Sequence, residues 1–151
     1  MRKRGAQIKH RAKAPPGLVC ISVDPRYETQ LLSSVQAFRQ GYAGTDHYLD
    51  MVDTHDLMRI ALQIHGQPDA SVAAALDLAC VALENIRDRY DEKGRMGTTS
   101  SEFDALQLLA DVCLNYWSRH SGALFHAAYR EMVRVRRADY ARVQAEREAA
   151  A

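Results

Sequence analysis

The sequence predicts an all-α fold: an antiparallel bundle of four to five helices behind a basic, disordered N-terminal arm. Three observations predict it. From Asp24 onward apolar residues recur at steps of three and four, the period of a helix that buries one stripe. The gaps between these stripes are short and marked by Gly, Pro or capping residues, and short loops place consecutive helices side by side. With 151 residues, 47% hydrophobic and 26% charged, the chain has the composition of one globular domain and the length to bury such stripes. The one strand-like run, Leu18–Val23, has no partner with which to build a sheet.

Residues 1–16 form the arm. They carry Arg2, Lys3, Arg4, Lys9, Arg11 and Lys13 without an acid, and Pro15-Pro16 disfavours helix before it. Residues 17–151 form the single bundle domain, with Leu18–Val23 an extended segment lying over the core. Asp24-Pro25 opens the first helix as an N-cap followed by proline at the first helical position. Its stripe is Tyr27, Leu31, Val35, Phe38 and Tyr42, ended by Gly41 and Gly44. Thr45 is the expected N-cap of a second helix that runs to His65 before Gly66 and Pro68. Tyr48, Met51, Val52, Met58 and Leu62 make its apolar stripe, with His55 within it, and Asp46, Asp50 and Asp53 its solvent side.

Pro68-Asp69 opens the third helix. Val72, Leu76, Ala79, Leu83, Ile86 and Tyr90 form a near-heptad seam, suited either to the core or to a dimer. Asp91 to Met96 and the two glycines, Gly94 and Gly97, close it. Thr99-Ser100-Ser101-Glu102 fits a capping box, in which the hydroxyl and the Glu carboxylate each satisfy a free backbone N–H. Phe103, Leu106, Ala110, Cys113 and Trp117 follow on one stripe, with Leu109 and Tyr116 beside it. Ser121-Gly122 marks a weak spot in one long helix or the cap of a fifth, whose inward residues are Leu124, Phe125, Ala128, Met132 and Val135. Beyond Val135 the pattern turns polar, as expected of a helix that projects or frays.

The formal net charge is +1, but it is unevenly placed. Residues 1–13 hold six bases and no acid, residues 14–129 eight bases and fifteen acids, and residues 130–151 six bases and four acids. No apolar run is long enough to cross a bilayer, and the N-terminus lacks the apolar core of a signal peptide. Three widely spaced cysteines, Cys20, Cys80 and Cys113, fit a reducing compartment, so the expected location is the cytoplasm.

Chemistry is sparse. His47, Asp50, Asp53, His55 and Asp56 crowd into the second helix, where His47 and Asp50 are spaced to share a metal. Two ligands are too few, and no HExxH, CxxC or Glu-x-x-His pattern accompanies them. His55-Asp56 is similar to the paired motif of the HD phosphohydrolases, without that fold's distant histidine and aspartate. The cluster reads as an acidic face beside one core-edge histidine. His120 and His126 flank the Ser121-Gly122 break and suit carbonyl capping. The cysteines lie in apolar runs, and there is no Gly-x-Ser-x-Gly elbow, phosphate-binding loop or dinucleotide fingerprint. No catalytic residue, metal or cofactor is expected.

The basic ends are the stronger lead. Arg2, Lys3, Arg4, Lys9, Arg11 and Lys13 have the density that neutralises phosphates. Arg130, Arg134 and Arg137 recur at steps of four and three as a basic stripe, with Arg136 beside it and Tyr140 within stacking reach. The bland alternative is that these arginines pair with acids of the body or serve solubility. The acidic middle is too modest in charge for a nucleic-acid mimic.

Met1–Arg4, the start Thr45-Asp46-His47-Tyr48 with Val52 behind it, and Glu102 followed by Ala105-Leu106 resemble the layout of a family of small phage and prophage accessory proteins of proteobacteria. The resemblance implies a mobile-element origin, an accessory role and no assigned catalytic residue. The function expected is a non-enzymatic helical module that binds a host or phage protein complex, without a membrane partner. The alternative is a nucleic-acid-binding regulator gripping phosphates with the arm and the C-terminal arginines. A homo-oligomer is left open by the heptad-like seam.

Overall fold

The computed structural model describes residues 24–150, all of whose regular structure is helical. The basic arm over 1–16 and the Leu18–Val23 segment lie outside the described residues. The helices are α1 Pro25–Gln40, α2 Thr45–His65, α3 Ala70–Lys93, α4 Ser100–Arg119 and α5 Gly122–Ala149.

Local chemistry sets most of the boundaries. The Asp24 carboxylate accepts the Arg26 N–H ahead of Pro25, and Asp69 accepts from Val72 to start α3. Thr99 and Glu102 make the capping box of α4. The second helix begins one residue earlier than the hydroxyl pattern suggests: Gly44 is the cap, Thr45 is already helical, and the His47 ring accepts the Gly44 N–H at 3.1 Å. Gly41, at φ 76°, and Gly94, at φ 67°, end α1 and α3 in the left-handed region that side chains resist. Ser121 caps a separate α5, so the chain breaks after α4 rather than continuing as one helix.

Helix α2 is the hub, packing against α1, α3, α4 and α5. Met51, Leu57, Met58 and Ala61 of α2 are buried. The α3 seam Val72, Leu76, Ala79, Leu83 and Ile86 is also buried, largely against α4, which assigns it to the core; Tyr90 lies at its edge. Leu31, Val35 and Phe38 of α1 join Leu106, Leu109, Cys113, Tyr116 and Trp117 of α4 in the same core. Full burial of each large side chain stabilises by about 2 kcal/mol before chain entropy is subtracted.

Two expectations are corrected. Consecutive helices pack side by side through α4, but α5 leaves α4 and lies along α2, with the His65 and His120 rings meeting at one end. Tyr42 and Val135 are 58% and 39% exposed, so the apolar stripes of α1 and α5 stop at Phe38 and Met132. Beyond Arg136, α5 stays helical to Ala149 and buries no residue.

Candidate functional site

The charged residues of α2 bind helices to one another. Asp50 accepts from Gln30 Nε2 and the Ser34 hydroxyl, both at 2.6 Å, which ties α2 to α1. Asp53 and Asp56 receive the two ends of the Arg136 guanidinium, at 2.5 and 3.2 Å, which ties α2 to α5. The His55 ring bonds Asp56 at 3.2 Å; that bond first, and Arg136 after it, hold the Asp56 carboxyl below its ordinary range despite partial burial. The side expected to face solvent is thus largely occupied by helix joints. Among the described residues no three His, Cys, Asp or Glu side chains converge as metal ligands.

A polar chain also crosses the core. The Cys113 thiol lies 3.2 Å from the Tyr27 hydroxyl, which donates to Thr54, which in turn donates to the Asp50 carbonyl. Burial pushes the Cys113 thiol up to about 12, the opposite of an activated nucleophile. His120 closes α4 through a 2.8 Å contact between Nδ1 and the Tyr116 carbonyl, as its position predicts, while His126 is exposed.

The C-terminal arginines divide between two faces. Arg136 turns to α2 and is engaged there. Arg130, Arg134 and Arg137 turn to solvent and, with Tyr129 and Val133, surround a shallow groove of about 340 Å³. Glu131 takes two bonds from Arg134, whereas Arg130 and Arg137 have no ion pair among the described residues. Tyr140, at 68% exposure, follows one turn after Arg137 on α5. Arg2, Lys3, Arg4, Lys9, Arg11 and Lys13 are outside the described residues.

A cleft of about 460 Å³, which the sequence reading missed, adjoins this face. Helices α1 and α5 both pack on α2 and leave a gap between them, lined by Leu31, Leu57, Phe125 and Met132 and bordered by Asp50 and Asp53. Tyr129, 49% exposed, belongs to both the cleft and the arginine groove, so the two form one surface. Nothing local in the sequence signals the cleft, because its walls come from residues about a hundred positions apart. No helix among the described residues is long and apolar enough to cross a membrane. No protein-family model, no curated protein and no solved structure matches the chain.

Proposed function

We propose that this protein is a non-enzymatic binding module that docks on a protein partner through the outer face of α5 and the adjoining cleft. The observation that carries the reading is Tyr129, which joins an apolar cleft to a face bearing Arg130, Arg134 and Arg137. Tyr and Arg supply much of the binding energy at protein interfaces, where an apolar anchor fills a pocket and charged groups surround it. A partner of matching chemistry inserts an apolar side chain between α1 and α5 and sets carboxylates against Arg130 and Arg137. The Asp50 and Asp53 carboxylates on the cleft border disfavour phosphate there. The resemblance to phage accessory proteins makes a host or phage complex the partner class.

The exposed stripe of Arg130, Arg134 and Arg137 favours a second reading, phosphate contact on nucleic acid. Affinity capture from cell lysate with and without nuclease separates the two. A protein partner stays bound after nuclease and is lost with Tyr129→Ala. Capture that nuclease abolishes, or that weakens steeply with salt and ignores Tyr129→Ala, supports nucleic acid instead.

A further inference from the structure

We propose that a groove where the C-terminal ends of α1 and α3 meet the start of α4 binds a phosphorylated small molecule. The groove has a volume of about 730 Å³. Its charge sets it apart from the rest of the body. Residues 24–129 contain eight Lys or Arg and fifteen Asp or Glu. Four of those bases, Arg39, Arg89, Lys93 and Arg95, line this groove, against a single acid, Asp104. In a stretch so rich in acid, this segregation creates a local positive field that the net charge conceals.

The four cations come from α1, α3 and the loop before α4, so no single helix face accounts for them. Arg89 is fixed, donating to the Gly97 carbonyl and pairing with Glu102. Arg39, Lys93 and Arg95 have no ion pair or side-chain hydrogen bond among the described residues. Arg39 and Lys93 occupy last helical turns, where a cation suits the helix dipole. The Gly41 N–H meets the Ala37 and Phe38 carbonyls and the Gly94 N–H the Tyr90 carbonyl, and neither cation bonds a helix-end carbonyl among the described residues, which leaves both available to a ligand.

The remaining lining fits the organic part of such a ligand. Thr98 and Ser100 add hydroxyls to the lining, and Phe38, Met96 and Phe103 add apolar surface. Two or three cations around a hydroxyl-lined recess match a phosphate monoester, and an apolar wall next to it matches an aromatic or aliphatic body.

Amide chemical shifts of the full chain, titrated with inorganic phosphate, glycerol phosphate and adenosine monophosphate, test the proposal. Saturable shifts are expected across Arg95 to Ser101 with all three, tightest for adenosine monophosphate if the apolar wall takes the base. The R39Q/R95Q variant is expected to lose about tenfold in affinity. Ser100→Glu places a carboxylate in the recess at a helix start that tolerates acids, so it is expected to block binding while the fold is kept. Shifts that never saturate, that survive both variants, or that fall equally on Arg130 to Arg137 overturn the proposal. The α5 variants are expected to leave this titration unchanged, which separates it from partner docking.

Discussion

Cys113 illustrates how a residue that looks chemical can be wholly structural. It is fully buried, bonded to Tyr27, and its thiol is pushed up to about 12 by burial. A disulfide reagent at pH 8 is therefore expected to label the half-buried Cys80 in the native protein and to reach Cys113 only on unfolding. Labelling of Cys113 at the same rate as Cys80 would show that the core opens readily. Glu102 makes the converse case, a charge that contributes to the fold. Burial alone would raise its carboxyl, but bonds from Arg89 and the Thr99 N–H outweigh burial and hold it below its ordinary 4.5. A carboxyl depressed in the folded state adds stability above its unfolded value, and that stability is lost as the pH falls through the folded value. Glu102→Gln is thus expected to cost about 2 kcal/mol at pH 7 and much less near pH 3, read from urea midpoints. An equal loss at both pH values would assign the effect to packing.

At the level of elements, α2 and α5 show where the sequence was informative and where it was not. The stripes of α1, as far as Phe38, and of α4 face the one core, and their caps at Asp24 and Thr99 are written in single residues, so both were legible. Helix α2 is surrounded on several sides, and its pattern blurs accordingly. Leu57 and Ala61 fell outside the apolar stripe read from spacing, yet both are buried. Asp50 and Asp53 read as solvent-facing because no local rule pairs them with Gln30 or with Arg136, 83 positions further along. Leu57→Ala is expected to cost about 3 kcal/mol, whereas Leu49→Ala, at 49% exposure, is expected to stay within about 0.5 kcal/mol. Arg136→Gln removes both ion pairs between α5 and α2, and a loss of about 1 kcal/mol in chemical denaturation is expected for such exposed pairs. Deletion of residues 138–151 is expected to leave the melting temperature within a few degrees, because α5 buries no residue from 138 to 149. A large drop would mean the end of α5 packs on the body.

For the molecule as a whole, the packing distributes charge in a way the linear sequence only partly shows. The stripe of Arg130, Arg134 and Arg137 was visible as spacing, and the structure faces it to solvent while drawing Arg136 away to α2. The cleft beside Tyr129 and the cationic groove of Arg39, Lys93 and Arg95 were not visible, since the cleft joins α1 and α2 to the distant α5 and the groove brings the end of α1 to the α3–α4 connection. Together they give a helical body with an exposed face of arginines and Tyr129 along α5 and a separate groove lined by cations at another edge. Docking through α5 is decided by hydrogen exchange of the partner-bound protein. Slowed exchange is expected in α5 from Phe125 through Tyr140 and in the Leu57 turn of α2, with no change on the exposed Leu78 and Val81 face of α3. Protection confined to α3, with α5 exchanging as in the free protein, would contradict it.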